Sequence, residues 1–114
     1  MGFTILQWNS RSIFKKWHEF KNYLSTLDNL PDILCIQESH LTSKYQPSIP
    51  HYHVIRKDHP PSKGKGGGLM VFVKTSLDFS KIDVALPGSN NLEVLGIAVH
   101  GFPIFNISNP PSTH

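Results

Sequence analysis

Two short apolar runs, Phe3-Thr4-Ile5-Leu6-Gln7-Trp8 and Ile33-Leu34-Cys35-Ile36-Gln37, frame a segment with a different period. Between them Ile13, Trp17, Phe20, Leu24 and Leu27 recur at alternating steps of four and three, while Lys15, Lys16, Glu19, Lys21 and Asn22 take the opposite face. This spacing predicts a helix with one apolar stripe, and the flanking runs have the length of strands. Ser12 stands where an N-cap is expected, and Asn29 with Pro31 marks the stop. A strand, a crossover helix and a second strand make the two strands parallel, with both carboxyl ends at one edge of the sheet. Asn9 and Glu38 each follow one of those runs. If the strands are neighbours, the two side chains meet about one strand spacing apart, roughly 5 Å. Two hard oxygen donors at the carboxyl edge of a sheet suit Mg²⁺ and, through it, a phosphate.

Beyond Glu38 the texture changes. Residues 39–50 are polar with two prolines and read as a loop. Tyr52 to Lys57 predicts a third strand. The stretch from Asp58 to Gly68, with Pro-Pro and Lys-Gly-Lys-Gly-Gly-Gly, predicts a turn. Leu69 to Val73 is a further apolar strand with Lys74 at its end. Ser76 to Asn91 reads mostly as turn, with a short strand around Ile82 to Ala85. Leu92 to Val99 is a strand, Gly101-Phe102-Pro103 a tight turn, and Ile104 to Ser108 a last strand. One helix and about five or six strands give an α/β fold with a mixed β-sheet, since closely linked late strands favour hairpins. A sheet this apolar needs cover on both faces, and one helix is too little. The expectation is therefore the first half of a larger domain, poorly folded by itself.

Composition narrows the function only mildly. The 114 residues suit one small domain. A net charge of +3 and a pI near 9.1 suit a phosphate-bearing partner without requiring one. The single cysteine, Cys35, excludes an internal disulfide and sits in a strand expected to be buried, where it serves as a small apolar residue; this favours a reducing, intracellular compartment. No apolar run is long enough to cross a bilayer, and the N-terminus lacks a signal-peptide pattern. His40, His51, His53 and His59 show no clean zinc-ligand spacing. Residues 63–68 lack the Lys-Ser/Thr ending of a P-loop and precede a strand, so a hairpin turn is the better reading; Lys63 and Lys65 can still touch a nucleic-acid backbone.

Several segments together carry a family resemblance. They are Ile5-Leu6-Gln7-Trp8-Asn9-Ser10-Arg11, then Pro31-Asp32-Ile33-Leu34-Cys35-Ile36-Gln37-Glu38-Ser39-His40-Leu41. Val54-Ile55-Arg56-Lys57-Asp58 follows, then Gly66-Gly67-Gly68-Leu69-Met70-Val71-Phe72-Val73-Lys74 and Asn106-Ile107-Ser108-Asn109-Pro110-Pro111. In this order they resemble the endonuclease/exonuclease/phosphatase superfamily, most closely the apurinic-type endonuclease domain of non-LTR retrotransposons. The resemblance spans nearly the whole chain and implies half of a four-layer α/β/β/α fold, a partial domain over residues 1–114. It further implies Mg²⁺ (or Mn²⁺) as cofactor, DNA as partner, no membrane and no obligate protein partner, and a nuclear site of action for an intact element that also carries reverse transcriptase. By position, Glu38 matches the metal-binding glutamate and Asn9 the asparagine that contacts the catalytic centre. Arg56, Lys63 and Lys65 fall where nucleic-acid contact is expected, and His59 stands where members often carry an Arg.

Two departures qualify what the resemblance implies. Ser108 occupies a position where many members have a tyrosine, and a serine neither reaches as far nor presents a phenol. The family's Asp-x-Asn and Ser-Asp-His segments have no match within 1–114. Phosphodiester hydrolysis needs a bound phosphate, an aligned water and a general base. The 114 residues alone are therefore expected to be inactive. Three readings stay open: the endonuclease of a retroelement, another phosphoesterase of the superfamily, or a non-catalytic module that binds nucleic acid.

Overall fold

The computed structural model describes residues 2–42, 44–58, 67–85 and 92–108. In chain order these form β1 (Ile5–Asn9), α1 (Ile13–Ser25), β2 (Ile33–Gln37), β3 (Tyr52–Lys57), β4 (Leu69–Lys74), β5 (Phe79–Ile82), β6 (Glu93–Val99) and β7 (Phe102–Ser108). The strands lie in two sheets, as the α/β/β/α layering implied by the resemblance requires and the single mixed sheet of the local strand reading does not. A four-stranded sheet has the order β1-β2-β4-β3, and a three-stranded sheet the order β5-β6-β7. Only the β1–β2 pair is parallel, as its helical crossover requires.

The larger sheet is covered on both faces. On one face Ile13, Trp17, Phe20 and Leu24 of α1 pack with Leu34, Ile36, Met70 and Phe72. On the other, Ile33, Cys35, Val71 and Val73 pack with Ile97 and Val99 of the second sheet. β2 and β4 thus have no solvent face, which explains why their residues run apolar without alternation. The result is three layers, helix on sheet on sheet. The second sheet supplies the cover that one helix cannot. Each large side chain so buried contributes about 1.5–3 kcal/mol.

Local expectations hold best where the period is strongest. The stripe on α1 is buried as predicted, with Leu27 half-buried just past its end. Ser12 makes no side-chain cap; its φ is positive instead, and the N–H groups of Ser12 and Ile13 find carbonyl partners after β2. The short strand falls at Phe79–Ile82, three residues early, because pairing with Gly96–Val99 sets its place. The late turn is His100-Gly101, both with positive φ, so that Phe102 and Pro103 already belong to β7. Such two-residue turns match the twist of a hairpin. Pro103 is tolerated because β7 is an edge strand.

At the end of the larger sheet where β2 begins, Asp32 ties three strands together. Its Oδ2 accepts from the Thr4 N–H at 3.0 Å and its Oδ1 pairs with Lys74 Nζ at 3.4 Å. The Thr4 N–H, with Lys74 adding to it, holds this carboxyl below the ordinary aspartate range against a smaller opposing effect of burial. Because the folded value lies below the unfolded one, the stabilisation is present above the unfolded value of about 3.9 and is lost as pH falls through the folded value. The melting midpoint of Asp32→Asn should therefore trail the parent at neutral pH, and the gap should close in acid. A gap independent of pH would remove Asp32 from this role.

Cys35 is 5% exposed between the sheets. Burial pushes its thiol up to about 11. The expected outcome is no labelling by a thiol reagent at neutral pH in the folded protein, and full labelling in denaturant.

Candidate active site at the rim between the sheets

β1 and β2 end side by side, with Asn9 opposite Gln37. The strand alternation puts Gln7, Asn9 and Gln37 on the face toward the second sheet, while Leu6 and Trp8 face α1. Glu38 is the first residue past β2. Its left-handed backbone (φ 51°) turns the side chain back to the rim, where Asn9 Nδ2 donates to Glu38 Oε2 at 2.5 Å. A non-glycine residue in that conformation is uncommon and is held by its surroundings.

Those surroundings are specific. The Glu38 carbonyl accepts from the Ser12 N–H at 2.8 Å and from the Ser10 hydroxyl at 3.0 Å. The Ser39 carbonyl accepts from the Ile13 N–H at 3.1 Å. The start of α1, left without a side-chain cap, is thus capped by the turn that carries Glu38. On the far side the Ser39 and His40 N–H groups donate to the carbonyls of Gly68 and Gly67 at 3.1 and 2.9 Å. Gly67 and Gly68 have φ of 75° and 95°, which side-chain-bearing residues adopt at a cost. The glycines before β4 are required because their carbonyls must face the Glu38 turn.

An open cleft of about 360 Å³ lies here, lined by Gln7, Asn9, Gln37, Glu38, Ile107 and Ser108. The chain segments named for Asn9, Glu38 and Ser108 therefore meet at one place. His40 Nε2 stands 3.9 Å from Glu38 Oε1. Among the described residues no group of three or more His, Cys, Asp or Glu side chains gathers in a way that could hold a metal ion. Among these residues Glu38 is the one carboxylate lining the cleft. One carboxylate with an adjacent amide fits Mg²⁺, which keeps several waters and needs only one or two carboxylates; it does not fit zinc.

The other named cations are placed differently. Arg56 on β3 donates from Nε and Nη2 to both oxygens of Asp58, at 3.0 and 2.8 Å, and also to the carbonyls of Thr42 and Tyr45. Its guanidinium braces the loop after β2. Lys63, Lys65 and His59 lie outside the described residues.

Sequence reasoning passed over Gln37, Asn106 and Glu93. Asn106 donates from Nδ2 to the Ile36 and Met70 carbonyls at 3.0 and 2.9 Å, and its Oδ1 accepts from Gln37 Nε2. Glu93 Oε1 accepts from the Gly68 N–H at 2.9 Å. The available signal was a polar residue at an inward position of an otherwise apolar strand.

A parallel strand pair thus carries an amide and a carboxylate at its carboxyl edge, at the rim between two sheets. Residues 6–112 match the Endonuclease/Exonuclease/phosphatase family, and the chain belongs to it. Two solved structures with this fold are a 3′ phosphatase, NExo, from Neisseria bound to a product DNA hairpin, and the 3′-5′ exonuclease NExo from Neisseria meningitidis. Their TM-scores are 0.68 and 0.67, each at 23% identity. The matches cover 91% and 90% of this chain but 40% of each of those. The chain thus spans well under half the length of these structures. A comparison with curated proteins gave no match.

Proposed function

We propose that this chain is part of a divalent-cation-dependent DNA endonuclease domain of the kind found in non-LTR retrotransposon polyproteins. The observation that carries this reading is the meeting of Asn9 and Glu38 at the shared edge of β1 and β2, facing a cleft that Ser108 also lines. The retroelement assignment rests on the Trp8-Asn9 context and the Asn106-to-Pro111 segment. Mg²⁺ or Mn²⁺, when bound, supplies Lewis-acid polarisation of a phosphoryl oxygen. Glu38 would hold the ion through its carboxylate. Asn9 orients that carboxylate through its Nδ2 and keeps its Oδ1 as a second oxygen donor. Arg56 serves DNA binding by holding Thr42, Tyr45 and Gln46 in place, and Lys63 and Lys65 by contacting phosphates.

The lack of any match within 1–114 to the family's Asp-x-Asn and Ser-Asp-His segments favours a second outcome for residues 1–114 alone: DNA binding without cleavage. A nicking assay on supercoiled plasmid with Mg²⁺ or Mn²⁺, run beside salt-dependent binding, tests both. Residues 1–114 should bind with an affinity that falls steeply with salt and should not nick. A longer protein containing them should nick, and only with the divalent ion. Nicking unaffected by a chelator, or binding unaffected by salt, would defeat the proposal.

A further inference from the structure

We infer that Asn106 and Gln37 are positioning residues for Glu38, forming an amide clasp that carries the second sheet's rim to the metal-binding turn. The inference rests on the reading that Glu38 holds a divalent cation. Farther in from the rim, the residues that pack between the sheets are apolar: Ile33, Val71, Val73, Ile97 and Val99. Packing alone would accept another branched aliphatic side chain at Asn106. Instead a carboxamide only 2% exposed uses both Nδ2 hydrogens and its Oδ1. A buried amide satisfied on every side specifies one arrangement of its partners, since any shift leaves a polar group unpaired.

Its partners surround the site. Ile36 and Gln37 are the two residues before Glu38, and Met70 lies two residues after Gly68, whose carbonyl holds the Ser39 N–H. Glu93, the first residue of β6, takes the Gly68 N–H on the same side. Asn106 and Ser108 share a face of β7, so the clasp that fixes the end of β2 also sets where Ser108 stands against Glu38. The two sheets could slide or splay at this rim without losing their apolar contacts farther in. The amide bonds oppose that motion, together with the Glu93–Gly68 bond beside them.

Mn²⁺ is the probe, titrated into isotope-labelled protein while paramagnetic broadening of backbone amides is followed by NMR well below the melting midpoint. The parent should show broadening of Ser39 and Ser108 together. Asn106→Leu, close in volume, should stay folded, weaken apparent Mn²⁺ affinity about tenfold or more, as loss of a group supporting a metal ligand typically does, and lose the Ser108 effect. Gln37→Leu removes the last link alone and should give a smaller loss of the same kind. Ile104→Ala, on the same face of β7 but making none of the clasp's hydrogen bonds, should lower the melting midpoint and leave Mn²⁺ affinity unchanged. Parent-like Mn²⁺ affinity and broadening in folded Asn106→Leu and Gln37→Leu, with Glu38→Ala silent, would overturn the positioning role alone. Broadening that persists in Glu38→Ala would overturn the metal reading and the positioning role with it. If Asn106→Leu fails to fold, Gln37→Leu decides the matter by the same criterion.

Discussion

Replacing Glu38 with alanine is expected to abolish divalent-cation-dependent nicking by a protein that contains this domain, with the rate falling by on the order of 10³-fold or more. The size follows from the chemistry. A metal ion at a phosphoryl oxygen is worth several kcal/mol of transition-state stabilisation, and each 1.36 kcal/mol is about a factor of ten. Among the described residues Glu38 is the one carboxylate lining the cleft, so no described neighbour in that lining can take over. The fold should survive, because the contacts that hold the turn are made by the Glu38 and Ser39 backbones, not by the Glu38 side chain. Plasmid nicking and a thermal melt on the same preparation check both halves. Parent-like nicking in a folded Glu38→Ala protein would move the metal site elsewhere. Asn9→Ala should be milder, since it removes the group that orients the carboxylate but leaves the carboxylate itself.

The second large effect is on stability. Phe72 has no exposed surface and lies where helix and sheet meet. Its ring is 6.2 Å from that of Trp17 and 6.3 Å, edge-on, from that of Tyr52. Phe72→Ala removes those contacts and leaves a cavity that rigid neighbours cannot fill, at about 3–5 kcal/mol. Domains of this size are stable by only about 5–15 kcal/mol, so the variant should melt far lower or fail to fold. Phe14, an aromatic of the same size that is 60% exposed, is the control: Phe14→Ala should shift the melt little. Equal shifts for the two would mean that the helix–sheet interface is not packed as described. The experiment also bears on whether residues 1–114 fold alone, because a cooperative melt of the parent is the condition for seeing the difference.

The helix, the parallel pair flanking it and the Asn9–Glu38 pairing were legible because they depend on short-range pattern. A stripe at steps of four and three can be buried on one side only as a helix, and a helical crossover leaves parallel strands as the outcome. The continuous apolar runs of β2 and β4 likewise announced burial on both faces. What covered the second face was not legible. The local reading placed all strands in one mixed sheet, because a strand's sequence states that it will pair but not with what. Strand pairing assigned β5 to β6 and moved it three residues earlier than its own composition suggested.

The site divides along the same line. The chain order of residues sufficed to bring Asn9 beside Glu38, since a separation of 29 positions makes a single crossover. It could not show that Gln37 reaches Asn106 across 69 positions, or that Asn106 holds Ile36 and Met70 from the other sheet. Nor could it show that Arg56 spends its donors on Asp58 and the loop after β2. By itself, then, the sequence determined the elements and the two strand ends where the chemistry gathers, because hydrophobic period and crossover geometry act over a few residues. Only the tertiary structure decided which strands go to which sheet, the left-handed turn at Glu38 and the buried amides around it. Those features arise from satisfying polar groups between segments far apart in the chain, and nothing local encodes which partner each will find.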